Sequence, residues 1–194
     1  MNGRIRIEIT KAMRDEAMAY ERAVLEKIKG YGPSYTGFEL PGRYYDGPLG
    51  ELCFKVLLDR MEMVYDHVFT PDGKADSGDF IVYYQHGDII MDMKAGHFVP
   101  KSIMLKLEKL DKDRDKKIML YVAGSLIGAR YDEKCCFLIG WNWFYEVAKA
   151  PLCEWGQGPT HTLHENDQRP LRGLFDGTAE KGASRRATAS SFGV

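Results

Sequence analysis

Two adjoining segments in the middle of the chain constrain its fold more than any other feature. Asp79 to Gln85 (DFIVYYQ) and Asp88 to Ala95 (DIIMDMKA) are rich in aromatic, β-branched and apolar residues, with only His86-Gly87 between them. A glycine at the second loop position, after a residue that tolerates positive φ, suits a two-residue type I′ turn, so the spacing predicts a β-hairpin. In that register Asp79 faces Lys94, Ile81 faces Asp92 and Tyr83 faces Ile90, all on one surface of the sheet. The other surface carries Phe80, Val82, Tyr84, Ile89, Met91 and Met93, which is wholly apolar and must be core. A two-stranded ribbon with one greasy face is not stable alone. The rest of the chain therefore has to cover that face.

The flanking segments supply the cover. Thr10 followed by Lys11 to Lys29 reads as a capped helix with Met13, Ala17, Tyr20, Val24 and Ile28 as its apolar stripe. Residues 30 to 48 form a Gly/Pro/Tyr-rich loop. A second helix starts at about Pro48, an acceptable first-turn proline, with Leu49, Leu52, Cys53, Val56, Leu57 and Met61 as its stripe. After the hairpin, residues 101 to 117 read equally as strand or helix start. Residues 118–128 and 135–147 are two strong strand candidates joined by a polar turn at 129–134. The economical architecture is α/β: one mixed β-sheet flanked by helices, with an N-terminal helical extension. At 194 residues and 44% hydrophobic content, the chain supports one core and is short for two. A single domain over residues 1–175 is expected, with 176–194 as a flexible Gly/Ala/Ser/Thr tail.

Charge and cysteine usage narrow the setting. Lys and Arg number 27 against 28 Asp and Glu, which excludes a uniformly basic coat but allows a local basic groove. No apolar run reaches the roughly 18 residues needed to span a bilayer, and residues 1–22 lack the h-region of a secretory signal. The four cysteines make no disulfide scaffold, since Cys135 and Cys136 are adjacent and point to opposite faces of any strand. A soluble protein of a reducing compartment, the cytoplasm, is expected, with no membrane partner.

The charged face of the hairpin carries the chemistry. Asp79 and Asp92 are diagonal neighbours there, able to converge on one hard cation, and clustering them otherwise costs like-charge repulsion. Asp-x-Lys alone is common in this chain, at 72–74, 92–94, 115–117 and 132–134. Only Asp92-Met93-Lys94 is embedded in an apolar strand that pairs through a tight turn with a strand opening on an acid. An acid, a hairpin, Asp-x-Lys on the next strand and a glutamate on an upstream helix resemble the PD-(D/E)xK nuclease superfamily, over roughly residues 45 to 147. Glu51, after Gly50 near the start of the second helix, matches the helical glutamate; Asp79 and Asp92 match the two strand acids and Lys94 the lysine. The strands ending in FLIGW (137–141) resemble the small phage and mobile-element members. The residue before Asp79 is Gly78 rather than proline, while a literal Pro71-Asp72 lies upstream, which leaves Asp72 and Asp76 as fallbacks for the first acid.

The resemblance implies a restriction-endonuclease-like fold and a Mg²⁺-dependent deoxyribonuclease, with Mn²⁺ able to substitute. Glu51, Asp79 and Asp92 would bind the metal, Lys94 would act on the attacking water, and DNA would be the partner. The rival class is a non-catalytic module on the same fold that binds nucleic acid or protein. Among other features, His97 could touch phosphate, and Tyr83 and Gln85 could line a groove. Lys101, Lys106, Lys109, Lys112, Arg114, Lys116 and Lys117 form the densest basic stretch, a solvated face by default and a DNA backbone contact as a second use. Cys153, His161 and His164 have a partial zinc-ligand spacing but lack the second pair of ligands that a structural site needs. Trp141, Trp143 and Tyr145 could stack on bases, but alternation sends them to one strand face, where packing on a helix or a second subunit is the simpler reading. That leaves a homodimer open.

Overall fold

The computed structural model describes residues 3–29, 42, 44–68, 78–85, 87–97, 102–155 and 158–176. The upstream loop, Asp72, Asp76, Lys101 and the C-terminal tail lie outside the described residues. A six-stranded mixed sheet runs in the order β1 (Ile5–Glu8), β7 (Asp132–Trp143), β6 (Leu120–Ala129), β4 (Gly87–Gly96), β3 (Phe80–Tyr84), β2 (Val64–His67). All neighbours are antiparallel except β4 and β6, which are parallel. The parallel pair needs a crossover. That connection contains β5 (Ser102–Lys106), a 3₁₀ turn at Leu107–Lys109 and α3 (Leu110–Asp115).

One face of the sheet is covered by α1 (Lys11–Lys29) and α2 (Asp46–Arg60). Thr10 caps α1 by accepting the Met13 amide at 3.2 Å, and Met13 and Ala17 are buried as the stripe requires. The α2 stripe buries Leu49, Leu52, Cys53 and Leu57, but Met61 lies just past the helix end and is 43% exposed. Helix α2 also begins two residues before Pro48, at Asp46. Beneath it lie Phe80, Val82, Ile89, Met91 and Met93 of the hairpin, all buried, as the alternation demanded. Gly50 is where the helix touches the sheet: a Cβ there would meet the Ala95 Cβ at 2.1 Å.

The opposite face is not bare. A second, three-stranded sheet, β5-β9-β8, is built from β5, β8 (Leu152–Trp155) and β9 (Gly158–His164). Ile103 and Leu105 from β5 pack with Tyr121, Ala123, Ile139 and with Val147 of the short helix α4 (Phe144–Val147). Trp141 and Trp143 are buried, edge to face at 5.4 Å. That removes them as an exposed base-stacking platform, and Tyr145 falls in α4, so the strand alternation ends at Trp143.

The hairpin register differs from expectation by two residues. Phe80 pairs with Met91, Ile81 with Ile90 and Tyr83 with Asp88, and the ladder closes at Tyr84 with Gly87. Gly87 joins the strand with φ +138°, so it belongs to β4 rather than to the turn. Asp79 therefore does not face Lys94, nor Ile81 Asp92. Because side chains alternate with period two, a two-residue slip preserves every face assignment.

Candidate functional site

The site forms where the sheet forks. Strand β3 ends its pairing at Phe80 with Met91, while β4 continues beside β6 from Met91 to Gly96. Asp79 stands at that fork, one residue before β3. Its amide donates to the Met91 carbonyl at 3.0 Å, and its carbonyl accepts the Val68 amide at 2.9 Å. Gly78 makes the bend with φ +109°, and a Cβ there would meet the Ile90 side chain at 2.7 Å, which accounts for glycine at this position. The Asp79 carboxylate then accepts the Met93 amide at 2.6 Å, taking the place of a departing strand. It is thereby held over β4 between Asp92 and Lys94, which project from the same face two residues apart.

Asp92 is 7% exposed, and the Lys94 ammonium contacts its carboxylate. Lys94 also lies 5.4 Å from the Tyr121 ring centroid, and the Tyr121 hydroxyl donates to the buried Asp113 of α3 at 2.8 Å. Burial lowers the Lys94 ammonium to about 8, with Lys109 adding to the effect and Asp79, Asp113 and Glu51 opposing it.

Glu51 reaches the same place from α2. His67, at the end of β2, lies 3.3 Å from its carboxylate and stacks on Phe80, centroids 4.4 Å apart and nearly parallel. Burial holds the Glu51 carboxyl above its usual range. The Asp79 charge adds to that, while His67 and Lys94 pull it down. Glu51 thus shares one electrostatic field with Asp79 and Lys94. A set of three carboxylates has the hard oxygen donors that suit a divalent cation such as Mg²⁺.

His97 joins a different group. Its Nδ1 lies 3.2 Å from Asp46, at the start of α2, and its Nε2 lies 3.2 Å from Glu133, on β7. Among the described residues, Asp46, His97 and Glu133 are the one trio of potential metal ligands with donor atoms all within 4.8 Å, and they could hold an ion. Glu51, Asp79 and Asp92 are spread more widely, with Asp92 paired to Lys94. Tyr83 is engaged with Asp66 through its hydroxyl. His161 Nδ1 is 2.8 Å from the Ala150 carbonyl, and His161 and His164 lie on opposite faces of β9, so with Cys153 on β8 they form no zinc site.

Sequence reasoning missed His67 because the four-residue strand β2 was not read at all. It missed Asp46 and Glu133 because they sit at element ends far apart in the chain. No family model matches the chain, and no curated protein or solved structure is significantly similar to it. No described helix is long and apolar enough to cross a membrane.

Proposed function

We propose that the chain is a Mg²⁺-dependent nuclease that hydrolyses phosphodiester bonds of DNA, using a PD-(D/E)xK-type site on a restriction-endonuclease-like sheet. The observation that carries this reading is the fork, where Asp79 bonds the Met93 amide between Asp92 and Lys94 while Glu51 shares their electrostatic field. Three acids that share the field of one lysine repel one another, a cost that a bound divalent cation would offset.

Glu51, Asp79 and Asp92 would hold the cation, which when bound supplies positive charge against the developing phosphorane and Lewis acidity toward water. Asp79 is positioned by its bond to the β4 backbone, and so presents its carboxylate without a rotamer search. Lys94, with its ammonium near 8, can exchange a proton close to neutral pH. As the amine it takes a proton from the attacking water; as the ammonium it stabilises negative charge on the phosphate. Burial limits water at Lys94, which is what lowers its proton affinity. Lys109 of the connector lies within electrostatic reach of Lys94, and it and the neighbouring lysines would meet backbone phosphates.

The test is incubation of purified protein with linear, circular and single-stranded DNA in Mg²⁺, in Mn²⁺ and in EDTA. Cleavage with either metal and none in EDTA is the expected result. Binding of DNA without cleavage in any metal would replace this reading with a non-catalytic module.

A further inference from the structure

Away from the fork, Asp46, His97 and Glu133 meet where the first turn of α2, the residue after β4 and the start of β7 come together. Glu133 is fully buried and Asp46 is 8% exposed. We propose that these three residues form a second, structural metal site for one divalent first-row transition ion, Zn²⁺ or Mn²⁺, separate from the nuclease site.

The charge and hydrogen-bond pattern argues for a cation. Glu133 is fixed by the Tyr45 hydroxyl on Oε2 at 2.8 Å and by the Tyr131 amide on Oε1 at 3.0 Å. Such bonds orient ligating carboxylates. Arg130 donates to Asp46 Oδ2 at 3.0 Å, the same oxygen that His97 Nδ1 approaches. Two buried atoms are left over: Asp46 Oδ1 and His97 Nε2 have no hydrogen-bond partner. Nε2 is only 3.2 Å from Glu133 Oε1, yet the two make no hydrogen bond. A neutral imidazole carries one N–H. With that proton on Nδ1 toward Asp46, the Nε2 lone pair is available to a cation lying between it and Glu133 Oε1. A second proton on the ring would not help Asp46 Oδ1.

The spacing suits an ion. Two ligands at about 2.1 Å from one metal stand about 3.0–3.4 Å apart in octahedral or tetrahedral geometry, and Nε2 and Glu133 Oε1 are 3.2 Å apart. Ligand atoms on one such ion can be at most about 4.2 Å apart. The three donor atoms all lie within 4.8 Å of one another, so a small closing of the side chains brings them onto one ion. One imidazole with two carboxylates is a nitrogen and oxygen set that selects Zn²⁺ or Mn²⁺ over softer ions. The ion would tie the N-terminal end of α2 to β4 and the β6–β7 hairpin, in the same helix that delivers Glu51.

The probe is Zn²⁺ titrated calorimetrically into the full chain carrying Asp79→Asn and Asp92→Asn, which removes the nuclease carboxylates and makes this result independent of the nuclease reading. One Zn²⁺ per chain is expected, with a rise in Tm. Adding His97→Gln should weaken binding at least tenfold and remove the rise. If His97→Gln fails to fold by near-ultraviolet circular dichroism, Asp46→Asn is read the same way. No stoichiometric Zn²⁺ binding, or unchanged affinity in the folded variant, overturns the proposal.

Discussion

Replacing Lys94 by methionine, a side chain of similar length without charge, tests the electrostatic account of the fork. Burial takes the Lys94 ammonium from 10.5 to about 8. At roughly 1.36 kcal/mol per pKa unit, keeping the proton costs the native protein about 3 kcal/mol at pH 7. The sign follows from proton counting. Below pH 8 native and unfolded chains both hold the proton and the cost is complete. Between about 8 and 10.5 the native state gives up its proton first, the unfolded state binds more, and stability rises with pH. Lys94→Met has no such group. Its absolute stability also includes the removal of the ion pair with Asp92. The informative quantity is therefore the change with pH in the stability difference between the two proteins, in which other titrations cancel. Urea denaturation from pH 7 to 10.5 should show the parent gaining about 3 kcal/mol on the variant, about 7 °C in Tm for a chain of 194 residues. A difference that stays flat across that range would mean Lys94 is not held in a site that penalises its charge.

Three further outcomes can be checked. Gly50→Ala places a methyl against Ala95, where neither side chain can swing aside, so urea denaturation should show a destabilisation of roughly 1–3 kcal/mol; a neutral result would mean α2 does not sit tightly on β4. His67→Ala removes the larger of the two groups that lower the Glu51 carboxyl, so Glu51 stays protonated to higher pH. The acid limb of Mg²⁺-dependent cleavage should then move upward, and an unmoved limb would separate His67 from the site. Neutralising Lys106, Lys109, Lys112 and Arg114 together should weaken DNA binding and reduce the slope of log K against log salt by up to about one for each phosphate that the variant no longer neutralises. An unchanged slope would return this stretch to plain surface.

The hairpin and the helices were legible because their patterns are local. Alternation along residues 80–84 and 87–96 fixed which side chains are core, and that survived the register error because a two-residue slip leaves the faces intact. The turn itself was misplaced because Gly87, with its positive φ, serves as the first residue of β4. Thr10 and the Met13, Ala17 spacing located α1 for the same local reason. What stayed hidden depends on tertiary neighbours. Strand β2 is four residues with no strong alternation, and β8 and β9 are short strands whose buried Thr160 and Thr162 look like surface in the sequence. Without those strands the charged face of the hairpin looks open, whereas β5 covers part of it, with Ile90 packed against the cluster of Ile103 and Leu105. Asp79 and Asp92 could be picked out by their place along the hairpin, whereas Glu51, on α2, came only through the resemblance. The Asp46, His97 and Glu133 trio could not, since nothing but the fold brings a helix start, a strand end and a hairpin together.

The central claim, that the residues at the fork cleave phosphodiesters, is tested most directly by Asp92→Asn, which keeps size and hydrogen bonding but removes the charge a hard cation needs. Linear DNA in Mg²⁺ should be cleaved by the parent and left intact by the variant. Without added metal the variant's Tm should fall, since the Lys94 ammonium loses its paired carboxylate, while the rise in Tm on adding Mg²⁺ should shrink. An Asp92→Asn protein that cuts DNA at the parent's rate would contradict the account.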